Sequence, residues 1–160
     1  RISNLLAPAY LSVSIGMDYK PTDNFTLFIS PISGKVTMVY DDMLAAAGAF
    51  GVKPGEKIRN EFGGYIKMQY KVDLMKNITY TTKLDLFSNY LVKPENIDVN
   101  WENLITMKIN SWFSANIHYT MLYDDDVKIA WDSNDDGIND RFGARLQIKQ
   151  LLGIGLTYKF

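Results

Sequence analysis

The stretch Asp132-Ser133-Asn134-Asp135-Asp136-Gly137-Ile138-Asn139-Asp140 gathers hard oxygen donors more densely than any other part of the chain. Calcium is held by carboxylate, amide and carbonyl oxygens that alternate along a tight loop, with a glycine where the chain must turn sharply. Asp132, Asn134, Asp136, the backbone carbonyl of Ile138 and Asp140 fall at those places, and Gly137 stands at the turn. The expectation is a calcium ion in the loop 132–140, ordering it and neutralising crowded carboxylates. Asp124, Asp125 and Asp126 can add oxygens across the loop. The bidentate Glu that closes an EF-hand loop is missing, because Gly143 takes its place. Asp, Asn and Gly also build ordinary solvated turns, so both readings stand at this point.

His118 is the single histidine, and there is no cysteine. One imidazole cannot supply a multi-histidine metal site, and thiolate sites and disulfides are excluded. A Ser–His–Asp arrangement needs partners that only the fold can bring to His118, so a hydrogen-bonded structural histidine is expected there. Charge is nearly balanced, with 17 basic and 18 acidic residues and a net charge of −1. That balance argues against nucleic acid as a partner. No stretch reaches the roughly 18 consecutive apolar residues of a membrane-spanning helix. The opening Arg1-Ile2-Ser3-Asn4 has no secretion-signal core, so the chain reads as a processed product or a fragment.

The elements that must carry these residues are strands. Period-two alternation predicts seven of them: about Ala9–Lys20, Phe25–Tyr40, Glu61–Val72, Ile78–Leu91, Val99–Phe113, Asn116–Tyr123 and Ala144 to the terminus. Pro31 and Gly34 predict a bulge or bend in the second. In each strand one set of alternate residues is nearly all apolar, as in Leu11, Val13, Ile15, Met17 and Tyr19. Tight turns are expected at Pro21–Asn24, Met75–Asn77 and around Ser114-Ala115, with long connections at about Asp41–Asn60, Val92–Asp98 and Asp124–Gly143. In the first of these, Asp42–Ala47 predicts one or two helical turns, ended by Gly48 and Gly51.

Strict alternation of short and long connections, with an apolar face on every strand, is the pattern of a bacterial outer-membrane β-barrel with short periplasmic turns. The expected fold is an all-β, antiparallel transmembrane barrel in the Gram-negative outer membrane. Lipid would contact the apolar face, and Tyr, Trp and Phe would mark two rims, the lower one ending at Tyr158 and Phe160. Barrels of this kind close on an even strand count, so an odd number of strands is expected from the missing N-terminal part or from a second chain. The alternative is a soluble barrel or sandwich with the apolar face turned inward.

On this reading Lys67, Lys71, Lys83, Asp85, Glu102 and Lys108 face the lumen. Mixed-sign rows there are expected to form ladders of ion pairs that brace the barrel. The other reading is a polar pore whose charges tune selectivity.

Five stretches carry a resemblance: LSVSIGMDYKP (Leu11–Pro21), AAAGAFGVKPG (Ala45–Gly55), TKLDLFSN (Thr82–Asn89), PENIDVNWEN (Pro94–Asn103) and QIKQLLGIGLTYKF (Gln147–Phe160). Together they resemble an uncharacterised family of Bacteroidota outer-membrane β-barrel proteins, a domain of unknown function. The resemblance spans nearly the whole chain and implies the C-terminal part of a barrel of about twelve strands, of the antiparallel, closed kind. It implies no enzymatic activity. The functional expectation is a non-enzymatic structural or accessory subunit, docked to another envelope protein. A small-solute diffusion channel is the alternative, and a membrane-embedded lipid hydrolase using His118 is third.

Overall fold

The computed structural model describes residues 3–134 and 136–157. Seven long strands form one antiparallel meander: β1 (Ala9–Thr22), β2 (Phe25–Met38), β3 (Ile58–Met75), β4 (Ile78–Asn89), β5 (Ile97–Lys108), β6 (Phe113–Tyr123) and β9 (Gln147–Leu156). Between β6 and β9 the long connection folds its own hairpin, β7 (Ile129–Trp131) paired with β8 (Arg141–Gly143). A short helix α1 (Asp42–Ala46) and a 3-10 turn (Ala49–Gly51) lie between β2 and β3. The sheet is not closed: β1 and β9 are its two edges.

Side chains on one face line up in rows set by the strand register. Ile29, Ile66, Leu86 and Val99 make one row, and Leu27, Met68, Leu84, Trp101, Met121 and Ile148 the next. The alternating apolar residues of the seven strands therefore share one face, as the alternation predicts, while Phe28, Phe87, Leu104, Leu122 and Leu151 lie on the other. That face is open, with Ile15, Met17 and Leu152 each about 70–80 % exposed. Two polar residues on it are paired in place: Trp101 Nε1 donates to Thr82 Oγ1 (2.8 Å) and the Tyr80 hydroxyl donates to Asn103 Oδ1 (2.6 Å).

The opposite, polar face is concave. Lys35 on β2 comes within 4.0 Å of Asp98 on β5, and Arg59 on β3 reaches Asp126 beyond β6. Flat, β2 and β5 would stand about 14 Å apart, three strand spacings. The sheet curls enough that Ser12 on β1 and Leu122 on β6 line one cavity.

The register slips between Ile15 and Met17 against β2 and between Ser30 and Ser33 against β3, and irregularities of this kind bend a strand. The predicted bulge near Pro31 is this slip. Gly16 and Gly63 sit beside it, and a Cβ on either would run into a neighbouring strand's backbone, at Ile29 O and Ser88 O. Only glycine allows the strands to approach this closely.

The main buried apolar cluster is small and lies at the long-loop end: Ala7, Val39, Leu44, Ala45 and Val52. The predicted helical turn supplies two of its members because Asp41 caps it, accepting from the Met43 and Leu44 N–H groups at 3.1 Å. A cap of this type is worth about 1 kcal/mol.

Strand boundaries differ from expectation: β2 stops at Met38, β3 runs longer at both ends, from Ile58 to Met75, and others shift at turns. β5 ends at Lys108, and Phe113, Ser114 and Ala115 open β6; the turn lies at Ile109–Trp112. Asn110 makes it, its Oδ1 accepting the N–H groups of Trp112 and Phe113. β4 stops at Asn89, whose side chain accepts the Leu91 N–H and turns the chain. The last strand begins at Gln147: the hairpin β7–β8 ends at Gly143, and residues 144–146 connect it to β9 outside any strand. Tyr158 and Phe160, expected at a rim, lie outside the described residues.

Candidate functional site in the concave face

β3, β4 and β5 put all six expected lumenal residues on the concave face. Lys67 stands opposite Asp85, Lys83 opposite Glu102, Lys71 opposite Thr81 and Lys108 opposite Ser114. The ladder of ion pairs is not there. Among the described residues, none of the six has an ion pair within 4.0 Å: Asp85 accepts from the Tyr65 hydroxyl, and Glu102 from the Asn100 amide at 3.5 Å.

The ion pairs of this face gather at its long-loop end. Arg59 Nη2 donates to Glu61 Oε1 at 2.6 Å and to Asp126 Oδ2 at 2.7 Å. Lys35 Nζ stands 3.6 Å from Glu61 Oε2 and 4.0 Å from Asp98 Oδ2, and it also lies 5.4 Å from the centre of the Phe87 ring. Glu61 is buried, its side chain 1 % exposed, and Arg59 is nearly so at 11 %. A carboxylate taken that far from water is tolerated only with charge partners of this kind. The same Arg59 side chain packs under Gly51, where a Cβ would overlap the guanidinium. Arg59 thus ties the β2–β3 connection, strand β3 and the segment after β6 to one point.

The sequence offered a partial signal for this group. Arg59 and Glu61 alternate in phase with Lys67 and Lys71, but the predicted strand began only at Glu61. Lys35 lies beyond the register slip at Ser30 and Ser33, which moves β2 from even to odd positions on the concave face. A slip of one residue exchanges the faces, so plain alternation hides Lys35.

Beside the ion pairs is a cavity of about 260 Å³. Ser12, Ser14, Ser33, Tyr65 and Asn100 give it hydroxyl and amide groups, and Phe87 an aromatic wall. Ser14 and Ser33 hydroxyls bond across β1 and β2 at 2.6 Å.

His118 lies lower on the same face, its Nε2 3.5 Å from Thr120 Oγ1, a contact at the outer limit of a hydrogen bond.

The loop 132–140 takes a compact, self-capped form. Asp132 accepts the N–H groups of Asn134 (3.0 Å) and Gly137 (2.6 Å), and Gly137 adopts the left-handed conformation (φ 86°) its position requires. Asp136 accepts from Ile138 N–H at 2.7 Å and from the Asn134 amide at 3.0 Å. Asp140 accepts from the Ser133 N–H at 2.8 Å and hydroxyl at 2.6 Å, closing the hairpin. Asp124 and Asp126, expected to lend oxygens here, serve their own turn and Arg59. The four ligand side chains and the Ile138 carbonyl are thus all on one exposed loop.

The Ser133 hydroxyl, followed by its N–H, holds the Asp140 carboxyl below the usual carboxylate value. A group with a depressed folded value stabilises above its unfolded value and loses that contribution as the pH falls through the folded one. Ser133→Ala is therefore expected to raise the Asp140 midpoint in a carboxylate NMR titration, and the hairpin should loosen at a higher pH than in the parent. An unchanged midpoint would show that the Ser133 contact does not hold the carboxylate.

The sequence profile of a family described as "Protein of unknown function, DUF481" matches residues 9–139. No curated protein and no solved structure matches the chain.

Proposed function

The chain belongs to that family, DUF481, and from this premise we propose that it forms seven strands of a closed barrel of about twelve, embedded in a Gram-negative outer membrane. The observation that carries the proposal is the inverted distribution of polarity. The buried ion pairs are on the concave face, while the convex face exposes a continuous apolar surface from Leu11 to Leu156. In water such a sheet would cover its apolar face and expose its charges. In hydrocarbon the order reverses, and every backbone polar group must also be paired. The unpaired edges of β1 and β9 then require further strands, from the same polypeptide or from another. The Bacteroidota resemblance agrees with this placement.

Within that barrel we assign a non-enzymatic structural or accessory role, with outer-membrane lipid on the outside and another envelope protein as partner. Its support is the concave face itself, whose ion pairs clamp three segments together. The uncommitted lysines on the same face favour the small-solute channel as second reading.

The test is extraction of the tagged protein from envelopes of the producing cell. The proposal expects release only by detergent, an outer-membrane buoyant density and a partner that co-purifies in mild detergent. A protein that stays monodisperse in buffer without detergent would sink the membrane placement. A lone barrel with a measurable single-channel conductance would replace the accessory role by the channel.

A further inference from the structure

We propose that the cavity at the long-loop end of the concave face binds a small organic cation, an amine or guanidine of about nine heavy atoms. The proposal rests on the concave face being the aqueous one, as argued above. It begins with the distribution of charge along that face. Lys67 opposite Asp85 marks a middle row. On the side of the short turns, Lys71, Lys83, Lys108 and Lys149 face Asp73 and Glu102, a basic excess. On the side of the long loops the excess is acidic, with Lys35 and Arg59 set against Glu61, Asp98, Asp124 and Asp126.

The two cations on the acidic side are already committed. Arg59 spends one nitrogen on both Glu61 and Asp126. Lys35 is shared, and its closer partner is Glu61 Oε2, a buried oxygen that receives no hydrogen bond. Asp98 is left with the longer contact, and among the described residues Asp124 has no ammonium or guanidinium within 4.0 Å. Both carboxylates line the cavity with Asp85 and Lys35, three acidic side chains against one basic. Carboxylates walled by low-dielectric strands attract positive charge much more strongly than the same groups in open water.

The remaining walls select an organic cation over a bare metal ion. Phe87 presents a ring that already accepts a cation, Lys35, at 5.4 Å, and such a surface suits amines and guanidines. Ser12, Ser14 and Asn100 offer acceptors for the N–H groups that a carboxylate leaves over. At roughly 30 Å³ for each water-sized group, the volume of about 260 Å³ sets the size.

Agmatine, which carries a guanidinium and an amine, is the probe. Isothermal titration of the intact protein, purified in non-ionic detergent from its own membrane, should give saturable binding of agmatine and none of succinate. Asp98→Asn/Asp124→Asn should weaken agmatine by about tenfold or more, as loss of desolvated charge partners does. Ser12→Phe, which fills the cavity from the edge strand and keeps every charge, should abolish binding. Lys108→Gln, at the other end of the face, should leave it unchanged. Heat-modifiable migration reports folding of each variant independently, so loss of the barrel and loss of the site are told apart. Folded parent protein that takes up no agmatine overturns the proposal, and so does equal binding by folded Ser12→Phe.

Discussion

Arg59→Met is expected to destabilise the protein by about 3–5 kcal/mol, the cost of leaving a buried carboxylate without its partner. Glu61 cannot turn to water, because its side chain is 1 % exposed. Without the guanidinium, it retains only Lys35 at 3.6 Å, an ammonium also engaged by Asp98. Asp126 loses its partner as well, so the segment after β6 comes free of the strand. Arg59→Lys should recover little, since one ammonium does not reproduce the planar fork that meets both carboxylates. The double variant Arg59→Met/Glu61→Gln should be more stable than Arg59→Met alone, because the stranded charge is gone. Equilibrium urea unfolding in lipid vesicles, followed by tryptophan fluorescence, measures all three. A loss for Arg59→Met within about 1 kcal/mol, the range of exposed pairs, would mean that this group does not clamp the loop end.

That clamp was the least legible part of the molecule, and the reasons are physical. Alternation assigns faces wherever pairing is regular, and from β3 through β6 to β9 the apolar residues read from sequence occupy the convex face. It fails at a bulge, which moves Lys35 to the other phase. It also fails at strand ends, where a single side chain decides whether the chain turns. Asn110 looks like one more polar strand residue, yet its two bonds to backbone N–H groups fix the turn. Spacing marked the 132–140 loop as a candidate calcium site, and spacing alone cannot tell a cation's ligands from acceptors for backbone N–H groups, because both uses need the same oxygens. Charge counts erred differently. Nearly equal numbers of basic and acidic residues, 17 and 18, suggested ladders between neighbouring strands, but the signs separate along the sheet, and the ion pairs gather where burial is deepest.

Ile66→Arg decides which solvent the convex face meets. Ile66 lies in the row Ile29–Ile66–Leu86–Val99, well inside β3, and is 38 % exposed. If hydrocarbon covers that row, arginine near its middle is expected to cost about 2–4 kcal/mol. The folded fraction in vesicles should fall accordingly, while Ile66→Leu should change little because its size and polarity are conserved. If water covers the row, the same arginine replaces an exposed apolar residue and should alter stability by no more than about 0.5 kcal/mol, with solubility improved. The two solvents thus predict different outcomes for one substitution, measured by urea unfolding in vesicles and by aggregation in buffer. The neighbouring position gives the internal control. Lys67 points to the concave side, so Lys67→Gln should be tolerated in either solvent. An arginine at 66 as harmless as a glutamine at 67 would remove the membrane and, with it, the need for closing strands beyond β1 and β9.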